Sequence, residues 1–169
     1  MDGDTLVFTL QHSFMNISTI NEIIAMSNPP LVLTTGGWEN IECLILLPTT
    51  ENTVTLRVDG IGLTQWHPVR KCGSKSWFFP ADHYTASSYN TTMVYNVIME
   101  NRNNLIIIGD NDIYEYATLG HSLSTRTYDD ISYHPFWSTE ASVDEVKKLP
   151  GYASGKVIME SSSKINFED

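Results

Sequence analysis

An all-β chain of antiparallel strands, folded as a sandwich or barrel, is what this sequence predicts, and three observations predict it. Short segments rich in apolar and β-branched residues recur at about ten-residue spacing, divided by turn residues. Several alternate apolar and polar side chains, the period of a strand with one face on a core. Helix start and stop signals occur together at one place near the C-terminus.

Taken in order, Leu6-Val7-Phe8-Thr9-Leu10 reads as a short strand. Ile20 to Met26 is apolar and ends at Ser27-Asn28-Pro29-Pro30; its length and the Pro-Pro stop favour a strand. Leu31-Val32-Leu33 follows, then a glycine turn, Trp38, and the run Ile41 to Leu47 closed by Pro48, long enough for a fully buried strand. Val54 to Asp59 alternates cleanly, which predicts Val54, Leu56 and Val58 on the core side. Gly62, Pro68, Gly73 and Pro80 then cut the chain into pieces, with two short strands expected near Gln65 to Val69 and Ser76 to Phe79.

Met93 to Tyr133 is the stretch around which the rest is organised. Tyr95, Val97 and Met99 alternate with Asn96, Ile98 and Glu100, Asn101-Arg102-Asn103-Asn104 breaks the run, and Leu105 to Ile108 begins another, which predicts a β-hairpin with a polar turn. Gly109 to Asp112 makes a turn and Ile113 to Tyr116 a strand. A polar loop from Thr118 to Thr127 carries His121, Ser122, Ser124 and Arg126, a surface presented by a scaffold. Ser142-Val143-Asp144-Glu145 fits a capping box, Lys147-Lys148 suits a helix C-terminus, and Pro150-Gly151 stops it, so one short helix is expected there. Ala153 to Ile158 supplies a last strand. The expected organisation is a single domain over residues 1–160 with a frayed tail over 161–169.

Composition narrows the function classes. The chain is 41% hydrophobic and 11% aromatic, a globular balance, and no window approaches the ~18 uninterrupted apolar residues of a membrane span. Twenty acids against ten bases give a net charge of -10, which opposes nucleic acid and anionic membranes. Met1-Asp2-Gly3-Asp4 has the wrong charge for a signal peptide, so synthesis in the cytoplasm without secretion is expected and the sequons at Asn16 and Asn90 go unused. Cys43 and Cys72 read as free thiols, with a single bridge left open.

Catalytic and metal motifs find little support. Gly120-His121-Ser122-Leu123-Ser124 lacks the last glycine and the parallel α/β context of a nucleophile elbow. The five histidines have no spacing that builds a metal site, and each reads as a loop or surface residue. Asp110-Asn111-Asp112 opens like a calcium loop but lacks the glycine at position 6 and the glutamate at position 12. No metal, cofactor or enzymatic activity is therefore expected. Loops rich in Tyr, Trp, His, Ser, Thr and Asn suit sugars, since aromatic faces stack on pyranose C–H groups and short polar side chains pair with ring hydroxyls.

The segment order Ile23-Ile24-Ala25-Met26-Ser27-Asn28-Pro29, Leu31-Val32-Leu33, Trp38 and Ile45-Leu46-Leu47-Pro48-Thr49 resembles the glycan-binding head of the rotavirus outer-capsid spike. Thr64-Gln65-Trp66, Val94 to Met99, and Ser124-Thr125-Arg126-Thr127-Tyr128-Asp129 extend the likeness to Ile23 through Trp137. The resemblance implies a galectin-like fold of two antiparallel sheets, a haemagglutinin-type attachment function on the virion surface, and host cell-surface glycans and the remainder of the spike as partners. It places His121, Ser122, Leu123 and Ser124 with Tyr84 along the sugar pocket. Relative to that family, two aromatic rings are lost from the loop, and the carboxylate-binding arginine is replaced near Glu39. A sialic acid without its cation would face unpaired desolvation, so a neutral glycan of histo-blood-group or galactose/N-acetyl-hexosamine type is expected. Arg126 is the candidate substitute cation and Trp38 a candidate stacking face. The alternative is a β-sandwich structural or protein-interaction module with no glycan site.

Overall fold

The computed structural model describes residues 1–83, 85–123 and 127–159. The chain opens with β1 (Leu6–Gln11) and β2 (Phe14–Thr19), joined by His12 and Ser13 at φ 51° and 66°. Two successive left-handed residues make the tight turn whose twist matches a hairpin. α1 (Ile20–Ala25) follows directly, then β3 (Leu31–Thr34), β4 (Gly37–Glu39), β5 (Ile41–Pro48), β6 (Thr55–Val58) and β7 (Ile61–Thr64). The second half contains β8 (Val69–Lys71), β9 (Ser87–Tyr89), β10 (Met93–Met99), β11 (Ile106–Ile108), β12 (Tyr114–Tyr116), α2 (Glu140–Lys147) and β13 (Lys156–Ile158).

The fold is all-β and mainly antiparallel, with few helices, as the turn spacing predicts. Among the described residues the strands form three sheets rather than two. One of seven strands runs β2-β1-β3-β11-β12-β8 with β4 on β3; the others are β10-β5-β13 and β7-β6-β9. β13 pairs with β5 in parallel, the one parallel pairing among the described residues.

β5 holds two cores apart. Leu44 and Leu46 face a core shared with Val7, Val32, Tyr95, Val97, Ile106 and Tyr116. Cys43 and Ile45 face a second core with Ile98, Leu119 and the α2 residues Val143 and Val146. A strand buried on both faces needs the continuous apolar run that the sequence carries there.

Four expectations are corrected by the local caps and the strand pairing. Ile20–Ala25 is helical and Met26 is its extended cap, because the Thr19 side chain accepts from the Glu22 N–H and Ile20 and Ile23 fall on one buried face. β10 and β11 do not form a hairpin. β10 pairs with β5, while β11 pairs with β1, β3 and β12, so the Asn101–Asn104 turn carries the chain from one sheet to another. In β6 the buried positions are Thr55 and Val58, and Val54 is exposed, because Thr55 is held by the Tyr89 carbonyl. The C-terminal helix is present but starts at Glu140, with Ser142 inside it and bonded to the carbonyls of Trp137 and Thr139.

Arg102, in the turn between sheets, ties the layers together. It donates to Glu42 on β5 at 2.6 Å and to Glu140 on α2 at 3.0 Å, with its side chain 15% exposed. Tyr152 donates to the same Glu42, and these donors hold its carboxyl below the ordinary value despite burial, which acts the other way. Replacement by Ala leaves a half-buried carboxylate short of its cation. Arg102→Ala should cost about 2 kcal/mol in denaturant unfolding, and a loss under about 0.5 kcal/mol would show that Arg102 does not couple the sheets to α2.

Candidate functional site

The most distinctive local arrangement begins at Met1. Its nitrogen donates to the Tyr95 carbonyl at 3.0 Å, and the Tyr95 N–H returns a bond to the Met1 carbonyl at 2.7 Å. That reciprocal pair is the hydrogen-bonded unit of an antiparallel ladder. The first residue is thus a one-residue strand on the outer edge of β10. Asp2 locks the entry: its N–H donates to the Gly62 carbonyl, and its buried carboxylate accepts from Thr5 at 2.9 Å and Tyr89 at 2.7 Å.

The Met1 nitrogen has a second partner, the Tyr116 hydroxyl at 3.0 Å, which in turn donates to the Tyr95 carbonyl at 3.1 Å. Tyr116 is fully buried, and its ring stacks on His67 with centroids 3.8 Å apart and planes 6° from parallel. His67 Nε2 lies 2.7 Å from the Ala117 carbonyl. A carbonyl only accepts, so Nε2 carries the proton and Nδ1 keeps a lone pair. His67 is reached from β7 through Thr64, whose carbonyl accepts the His67 N–H.

These groups border a cavity of about 350 Å3. Its apolar walls include Trp66, Trp137, Leu119, Val94, Ile45 and Leu47, and Asn52, Thr53, Thr64, Gln65 and Asn96 are polar members. Burial lowers the Met1 amine to about 5 from 8.0, against a smaller opposing effect of Asp2. Burial likewise pushes His67 well below 6.5, with the Met1 amine and His121 adding to the effect and the Ala117 carbonyl opposing it.

The residues expected from sequence fall as follows. His121 is buried, its Nδ1 2.6 Å from the Thr118 carbonyl and Nε2 2.8 Å from the Ser132 carbonyl, and its ring meets Trp137 edge-on at 5.3 Å. It is an interior residue and presents nothing to solvent. Ser122 is exposed and donates to Asn103. Leu123 is half-buried. Trp38 sits on β4 opposite Leu33, half-buried and away from the cavity. Tyr84, Ser124 and Arg126 lie outside the described residues. His67, Tyr95, Tyr116, Trp137 and Met1 are the residues that sequence reasoning missed. Contacts across 94 and 115 positions leave no local signal, although Thr64-Gln65-Trp66 stopped one residue short of His67. Both cysteines are free. Among the described residues no group of three or more metal-ligating side chains is gathered.

The geometry defines a class: an all-β module in which the Met1 backbone pairs with β10 at a cleft shared with a histidine whose burial keeps it neutral. The chain belongs to the Hint-domain family, whose Vint model matches residues 1–167. No curated protein matches the chain in sequence. The family match overturns the resemblance to the rotavirus spike head, and with it the reading as a capsid-spike lectin, haemagglutinin or glycan-attachment domain. The fragments behind that resemblance are short pieces of strand and turn, which any β-rich chain with this composition can supply, whereas the family match spans nearly every residue.

Both depressed groups are bases, so acidification charges them in the unfolded chain before the native one, and stability falls as pH drops. For the Met1 amine that window runs from 8.0 down to about 5, and His67 adds to it below 6.5. Denaturant midpoints measured across this range should fall, and nitrogen NMR at about pH 6 should find His67 neutral with Nε2 protonated. A protonated ring at that pH would contradict the packing described.

Proposed function

We propose that this chain is an autoprocessing-type module, of the intein and hedgehog kind that its family suggests, and that the backbone nitrogen of position 1 is the reacting group. The observation that carries the reading is the Met1 nitrogen, enclosed and fixed by Tyr95 and Tyr116 beside His67. The match over residues 1–167 supports treating the chain as one domain.

Cleavage at that position breaks the bond between the nitrogen and a preceding carbonyl carbon. A thiol or hydroxyl at position 1 would attack that carbon, forming a thioester or ester. Its proton passes to His67, and the departing nitrogen receives one in return, so the ring acts first as base and then as acid. A neutral histidine with a free lone pair is the protonation state this needs. With a residue before it that nitrogen is an amide with one N–H, for which the Tyr95 carbonyl is the acceptor, and the Tyr116 hydroxyl, donating to the same carbonyl, stands beside it.

Met1 bears on the outcome. A thioether has no proton to give and forms no stable acyl bond, so the Met1 side chain itself does not take this role. Such a module acts once on its own backbone. Turnover of an external substrate, which the sequence argued against, is a separate matter.

A reporter domain fused ahead of Met1 tests the reading. The fusion should stay intact in hydroxylamine, Met1→Cys should cleave at the junction, and adding His67→Ala to Met1→Cys should slow cleavage by roughly 100-fold or more. Cleavage of the Met1 fusion as fast as the Cys variant, or a folded Cys variant that never cleaves, would overturn it.

A further inference from the structure

We infer that the cavity beside Met1 is a side-chain subsite for the residue preceding position 1, and that it selects a large apolar residue. The inference takes its meaning from the reading of position 1 above, but its test does not depend on cleavage.

The argument is one of strand register. Met1 is paired with Tyr95, and its side chain joins the core that contains Tyr95, Leu44 and Leu46. Successive residues of a strand point to opposite faces. A residue before Met1, continuing antiparallel to β10, stands opposite Asn96 and points to the other face of the β5–β10 sheet. That face carries Ile45, Leu47, Val94 and Asn96, paired Val94↔Leu47 and Asn96↔Ile45. These four residues, with Leu119 and Trp137, line the 350 Å3 cavity.

The edge of β10 also sets the length of the site. The Val97 N–H is taken by the Asn96 side chain at 2.8 Å, and the Val97 carbonyl accepts from Leu119 at 3.0 Å. With both Val97 groups occupied, a preceding segment has no ladder position beyond Asn96 and must leave the sheet. One side chain is held, and the chain before it turns away. The cavity volume sits at the low end of the ~300–1,000 Å3 typical of ligand sites, in keeping with a single residue. Among the described residues no Asp, Glu, Lys or Arg lines it, so a charged side chain there would be desolvated without an ion-pair partner.

The experiment uses the full chain extended by Gly-Ser-X before Met1, with Met1 retained so that no acyl transfer intervenes. Relative to X = Gly, Leu and Phe should raise Tm by roughly 3–8 °C, and Asp and Lys should lower it. With X = Phe, the indole signals of Trp66 and Trp137 should shift in NMR while those of Trp38 and Trp77 stay in place. A Tm order that is flat within about 1 °C or that favours charge, or shifts confined to Trp38 and Trp77, would overturn the subsite. If apolar X stabilises and shifts Trp66 and Trp137 while the Cys fusion never cleaves, the subsite stands and the autoprocessing reading falls.

Discussion

The reciprocal hydrogen bonds between Met1 and Tyr95 are the interaction on which the site depends. They fix the first residue against β10, the strand whose other edge is the centre of the fold through β5. From that one pairing follow the seat of the nitrogen against Tyr116, the closeness of His67, and the face toward which a preceding residue would point. Asp2 reinforces it from the other side, because a buried carboxylate held by Thr5 and Tyr89 cannot shift without losing charge-assisted bonds.

His67 acquires its character from distant parts of the chain. The ring is sandwiched by Tyr116 on β12, faces the Ala117 carbonyl just beyond that strand, and meets Trp137 at 5.5 Å. Enclosure by aromatic rings disfavours the charged form, and a backbone carbonyl selects the tautomer. His121 and His134 gather around the same Trp137, so the interior between β12 and α2 is organised by imidazole and indole packing.

How much of this was legible in the sequence depends on the range of the interaction. β1, β3, β5, β10, β11, β12 and the C-terminal helix were legible, because period, turn residues and helix stop signals act locally, although the helix starts before the Ser142 capping box expected for it. α1 was misread because six residues give too few turns for a helical period to show, and the Thr19 cap was the better signal. The β10–β11 hairpin was misread because alternation says that a strand exists and not which strand it joins. For the site, no local cue marked Met1 or Tyr116 as partners, and His67 looked like any loop histidine. Short matching fragments then drew the reading toward a lectin, when the feature that mattered was how the first residue and β12 meet.

The account rests on Met1 being a structural member of the β10 edge, and hydrogen exchange at one amide tests that directly. The Tyr95 N–H, whose acceptor is the Met1 carbonyl, should be protected in the native chain to the same degree as amides bonded between β10 and β5, such as that of Ile98. Exchange at the rate of an open loop amide would contradict the account, since Tyr95 would then lack its partner and the cleft its first residue.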